Sequence, residues 1–274
     1  MTVLRAIIGI VTAVVLTPVG LAVIWFGDGE LRLNRIAGIL LTLVGIVLLL
    51  MVVQAGHVSS IGLIVAGIGV TIVGLAGLLV PDFAVSVESL LRGFSPQIVK
   101  PAGQWFAFGF VLAVGLVLLG IAIATWFAHR PTDVSSSPAL RGVLSVVLAV
   151  VGVVTGFGFI TRVDVSFVVL GAAVLGAVAV TGMVSSAGLY VSGALVLLVG
   201  IIAFIFDSFA LAIARSAAVG GNGMEAGAQS ALELGFIVAL GALLLASAVV
   251  VRAVRGRAAK RARIAREAEE PEPV

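Results

Sequence analysis

Apolar runs long enough to cross a bilayer recur along nearly the whole chain, and no other feature limits its fold as strongly. A hydrocarbon core about 30 Å thick takes roughly 20 predominantly apolar residues as helix. Runs of that kind cover residues 6–26, 36–53, 61–80, 105–127, 142–160, 165–183, 187–206 and 234–251. Backbone polar groups cannot stay unpaired in hydrocarbon, so each run is predicted as a helix. The chain therefore reads as an all-α integral membrane protein of about eight transmembrane helices. Composition agrees: charged residues make up 11% and hydrophobic residues 61%, against roughly a quarter charged in a soluble domain.

The chain has no cysteine, which excludes disulfides, thiolate metal sites and cysteine nucleophiles together. Its pI of about 10.2 does not point to nucleic acid. Seven of the sixteen basic residues, Arg252, Arg255, Arg257, Lys260, Arg261, Arg263 and Arg266, directly follow the last apolar run. Cytoplasmic flanks of membrane helices carry such an excess, so the carboxyl end is expected to be cytoplasmic. With eight spans the amino end lies there too, in accord with Arg5, and the chain is expected to be a multi-pass protein of the plasma membrane. Arg32, Arg35, Arg92, Lys100, Arg162 and Arg215 then fall on the outer side, against the rule. The preference for Arg, Ala, Val and Gly fits a bacterium with a GC-rich genome. The first apolar run exceeds the usual signal-peptide core and has no small-residue cleavage pattern after it, so it is expected to be retained as a helix.

An internal repeat organises these helices. GHVSSIGLIVAG from Gly56 matches GMVSSAGLYVSG from Gly182 at eight of twelve positions, an offset of 126 residues. The same register carries FGFVLAVGLVLLG from Phe108 onto LGFIVALGALLLA from Leu234. The first helix of each half aligns poorly, and the segment 27–35 has no counterpart of equal length. Residues 1–130 and 131–251 are thus expected to form two four-helix halves, followed by a basic and then acidic tail over 252–274. An even number of spans per half makes the repeats parallel, with a pseudo-twofold axis along the membrane normal. Loops before the last helix of each half should share the outer side. In the first, Phe83, Val87, Leu90, Leu91 and Phe94 follow helical spacing opposite Glu88 and Arg92, the pattern of a helix lying in the interface. Trp25, Trp105 and Trp126 are expected at helix ends, where indole prefers the interface.

Ionisable residues at membrane depth mark function by default, and none falls at a predicted helix centre. Proton pumps, ion-coupled carriers and voltage sensors are disfavoured on that ground. Thr12, Thr17, Thr42, Thr71, Thr155 and Ser192 are expected to bond to their own helices, and Gly152 with Gly156 to allow close packing. His57 and His129 read as residues of helix ends. No nucleotide, zinc-protease or serine-hydrolase motif occurs, and no cofactor or metal site is expected.

The candidate site is an outer-rim polar cluster of Asp82, Glu88, Arg92, Asp207, Arg215 and Glu233, with Glu225 in the same layer. Its members could bind a cation or a lipid headgroup if they converge. The basic tail is a candidate contact for anionic lipid or a membrane-protein partner. Small residues and uncharged helix centres suit packing, so the expected function is a non-enzymatic accessory or scaffold subunit of a membrane complex. The alternative is a carrier or flippase for an apolar or lipidic solute moving between the halves.

Overall fold

The computed structural model describes residues 3–31, 33–56, 59–129, 137–162, 164–218 and 224–269, without the side chains of residues 5, 217–218 and 265–269. Arg32, His57, Arg130, Ser135, Ser136, the segment 220–223, the acidic end from residue 270 and the Arg266 side chain therefore lie outside the described residues. Among the described residues the chain is all-helical, with twelve α-helices. They are α1 (Val3–Glu30), α2 (Arg35–Ala55), α3 (Ser60–Leu79), α4 (Pro81–Phe94), α5 (Pro96–Ala107) and α6 (Phe110–Ala128). There follow α7 (Pro138–Ile160), α8 (Val165–Val180), α9 (Ser186–Ile205), α10 (Asp207–Ala218), α11 (Met224–Glu233) and α12 (Phe236–Glu269). Eight of these, α1–α3, α6–α9 and α12, are long and apolar enough to cross a membrane.

Helix pairs are set by the chain's small residues, which let backbones approach without a hydrophobic drive between them. Helix α1 lies along α2, α3 along α6, α7 along α8 and α9 along α12. Further contacts join α6 to α8, α12 to α2, and α6 to α12. A Cβ at Gly74 would come within 2.5 Å of the Leu112 amide nitrogen, and one at Gly200 within 2.8 Å of that of Val238. Gly152 faces Val178 and Gly156 faces Leu175, so this pair does serve close packing of α7 on α8. Ser59 and Ser185 cap α3 and α9 by accepting from the amides of Ile61 and Ala187. Side-chain caps of this kind satisfy amides that a helix start leaves open.

Two connections between spans are helical, the first as the spacing of 83–94 foretold in part. Residues 81–104 fold as α4 and most of α5, and the described residues of 207–233 as α10 and α11. Proline at the first position of α4 and of α5, together with the Ser95 cap, starts helices where apolar content alone did not announce them. α4 buries no residue, and it exposes Val85, Leu90 and Phe94. The expected start of a helix at Trp105 is also corrected. Gly109 and Gly235 take left-handed conformations at φ of 67° and 65°, which glycine adopts without a Cβ clash. They break the chain between α5 and α6 and between α11 and α12. Trp105 consequently lies in the last turn of α5 instead of opening the next helix, and Glu233 ends α11.

The first helix runs past its predicted end at Phe26 to Glu30. Its fit on α2 brings a Gly45 Cβ to 2.7 Å from the Gly20 carbonyl and near Ile24; a Gly171 Cβ would meet the Gly156 carbonyl at 2.7 Å and the Ile160 amide. Between the paired contacts Gly20 and Gly45 lie ten more residues than between Gly156 and Gly171. Those ten extend α1 and begin α2 earlier, and they carry Asp28.

Candidate functional site

The extension of α1 places Asp28 where sequence reading had a solvated turn. Its side chain is 3% exposed. Trp105 Nε1 donates to Oδ2 at 3.1 Å, and Thr42 Oγ1 lies 3.4 Å from Oδ1. The helical reach of α1 thus turns an expected loop carboxylate into a buried one, held by groups from α2 and α5. Thr42 does not bond to its own helix as expected, whereas Thr17 and Ser192 do, through the carbonyls of Ala13 and Gly188. Thr71 Oγ1 is buried without a partner.

Trp105 is fully buried, and Trp25 is 7% exposed. α5 packs against α1 and covers these rings, whereas Trp126, near the end of α6, is half-exposed. Trp105 stands edge-on to Phe110 and to Phe236 at centroid distances of 5.9 and 5.8 Å. Phe110 and Phe236 stack on each other at 4.2 Å with planes 8° apart. Aromatic pairs of these geometries add stability beyond the area they bury. The place where α6 meets α12 is therefore filled by rings, with the Asp28 carboxylate on one flank.

On the Asp28 side of these rings lies a cavity of about 250 Å³ lined by Asp28, Leu31, Arg35, Ala203, Phe204, Asp207, Glu233 and Leu234. Arg35 crosses it. Its guanidinium bonds to Asp207 at 3.1 Å and to the carbonyls of Phe204 and Ile205. Glu233 is exposed and accepts from Gln229 Nε2 at 2.6 Å. Among the described residues three carboxyls thus line the cavity with one guanidinium, which is bonded to Asp207 and two backbone acceptors.

Of the expected outer-rim cluster, Asp207 and Glu233 meet in this cavity. Glu88 and Arg92 line a separate cleft of about 500 Å³ with Lys100 and Gln104, between α4 and α5. Asp82 lies in the first turn of α4, and Arg215 in the last turn of α10; neither lines either cavity. Sequence reading missed Asp28, Thr42, Trp105 and Arg35. Tryptophan 77 residues from an aspartate gives no local signal, although an aspartate within a helical turn of an apolar run was a usable one.

In the basic tail, α12 continues to Glu269 as expected of a helical extension. Arg255 is taken up internally, donating to the carbonyls of Gly182 and Met183 at 2.6 and 2.5 Å. Arg252, Arg257, Lys260, Arg261 and Arg263 are exposed. His129 closes α6, its Nδ1 donating to the Thr125 carbonyl at 2.8 Å. A third cavity, of about 240 Å³, is almost wholly apolar and lies between α7, α9 and α12. Among the described residues no group of three or more His, Cys, Asp or Glu could hold a metal ion.

No family model, curated protein or solved structure matches this chain.

Proposed function

We propose that the protein is a non-enzymatic accessory or scaffold subunit of a bacterial plasma-membrane complex. In this reading it is built from two parallel four-helix halves, 1–130 and 131–251, with both termini cytoplasmic. The repeat is supported by contacts that recur 126 residues apart. Gly74 on Leu112 matches Gly200 on Val238, and Gly115 on Thr71 matches Gly241 on Leu197. Left-handed Gly109 packs on Val168 of the other half, and Gly235 on Thr42. Phe110 and Phe236, also 126 apart, stack on one another where a pseudo-twofold axis along the membrane normal would pass. The first helices match at an offset of 136, which accounts for their poor alignment.

The observation that carries the functional reading is the filled seam between the halves. A carrier working by alternating access needs a site near the midplane at the repeat interface and halves that rock about it. Here Phe110 and Phe236, the first residues of α6 and α12, are fully buried against each other with Trp105 edge-on to both, and α6 and α12 stay buried along most of their spans. Packed rings of this kind hold the halves in one arrangement and suit a rigid platform. A carrier or flippase for a lipidic solute between the halves stays as the second reading, favoured by an apolar cavity within the second half that would accept a hydrocarbon chain.

Native mass spectrometry of the tagged chain, taken from its own membranes in mild detergent, separates the two. A subunit leaves the membrane with one protein partner at fixed stoichiometry. A lone chain carrying a discrete lipid would replace this reading with the carrier.

A further inference from the structure

The cavity at the end of α1 combines features that packing does not require. Across the repeat, Thr42 corresponds to Val168 and Trp105 to Ala231. Asp28 sits in the ten residues that α7 and α8 lack. In the second half the turn between α7 and α8 carries Asp164, which is exposed and caps α8 by accepting from the Ser166 amide, so burying a carboxyl there is not a demand of the fold. Burial of a carboxylate is costly unless it is paired and hydrogen-bonded. Asp28 receives two neutral donors, and the one guanidinium on the cavity is held by Asp207 and backbone carbonyls.

We propose that this cavity is a binding site for a primary ammonium group, with Asp28 and Glu233 as its acceptors. Among the described residues three carboxyls and a single guanidinium line it, so a cation is favoured over an anion. The carboxyls are not grouped as a metal site would need. An alkylammonium offers three donors on one centre, which two carboxylates and one further acceptor on the cavity wall would satisfy. The volume of about 250 Å³ admits a headgroup-sized amine. The site lies where the spans Ala6–Glu30 and Arg35–Ala55 end and begin, the depth at which headgroups sit. An aminophospholipid headgroup and a free amine share this chemistry.

Trp105 supplies the reporter, since its indole N–H is bonded to Asp28. The full chain, ¹⁵N-labelled, is placed in nanodiscs of phosphatidylglycerol alone or with phosphatidylethanolamine, and ethanolamine is titrated into the first kind. The three indole signals are assigned by single Trp→Phe changes. The expected result is a saturable shift of the Trp105 signal, with a higher Tm, lost in Asp28→Asn while its three signals stay dispersed. A response to phosphatidylethanolamine alone assigns the site to a headgroup; a response to ethanolamine in phosphatidylglycerol discs assigns it to a free amine. Glu233→Gln, at an exposed position, should weaken half-saturation at least threefold even if Asp28→Asn fails to fold. A wild-type signal that ignores both amines, moves equally with sodium chloride, or responds unchanged in Glu233→Gln overturns the proposal. None of these outcomes depends on whether a protein partner is found.

Discussion

At the scale of single residues, the Asp28–Trp105 bond makes opposite demands on two substitutions. Asp28→Asn keeps an oxygen for the indole N–H and removes the charge, whereas Asp28→Leu leaves that donor buried without an acceptor. A buried polar group left unpaired costs about 1–3 kcal/mol. Thermal unfolding in detergent should therefore place Asp28→Leu clearly below Asp28→Asn, and equal Tm values would remove the bond from the account. Left-handed glycines give a second residue-scale test. Gly109→Ala forces an L side chain into a backbone that costs about 1–2 kcal/mol, and its Cβ would run into Val168. Gly235→Ala meets Thr42 Cγ2 at 2.8 Å with the same backbone cost. Both should lower Tm, and a neutral result at either would show that the break before α6 or α12 tolerates other conformations. Little of this was legible beforehand. The sequence DGELRLNR from Asp28 has the composition of a solvated turn, and nothing local says that α1 will carry its aspartate one turn further, under α5. The Trp105 burial depends on a helix reversal at Gly109 that the apolar run 105–127 conceals.

At the scale of elements, legibility was high for spans and low for what joins them. A span is announced by its own composition, because lipid requires length and apolarity from each helix separately. The helices α4, α5, α10 and α11 are short and mixed in composition; only the amphipathic spacing of α4 gave one of them away. Interhelical fastening is also invisible locally. Arg255, one of seven basic residues that look equivalent in the tail, is the one whose guanidinium closes the carbonyls of Gly182 and Met183 at the turn between α8 and α9. Open carbonyls at a helix end need such donors. Arg255→Ala should consequently lower stability by about 1 kcal/mol, at the low end for a bond to a charged donor because the group is partly exposed. Arg257→Ala, at an exposed position on the same helix, should leave Tm unchanged. If the two behave alike, the tail acts only as a block of charge.

At the scale of the whole molecule, the two ends of the helical bundle differ in how their cations are used, and this bears on orientation. Six basic residues fall on the expected outer side, which a simple count of charges would hold against that topology. Two of them are committed to internal partners: Arg35 to Asp207 and the end of α9, and Arg162 to the rings of Phe159 and Phe167 at 5.8 and 4.4 Å. Arg92 and Lys100 share their cleft with Glu88. The tail instead presents an exposed series of cations beyond the last span. Orientation is set by the cations flanking the spans, and most strongly where they cluster within about 15–20 residues of a helix end. The tail should therefore decide it. Because the chain has no cysteine, single cysteines can be placed without background at Leu33 and Phe94, both exposed, and at Arg257. In intact cells a membrane-impermeant maleimide should label Leu33→Cys and Phe94→Cys, with Arg257→Cys reacting only after permeabilisation. The reverse pattern would put the Asp28 cavity on the cytoplasmic side, and labelling of Leu33→Cys and Arg257→Cys from one side would contradict the count of eight spans.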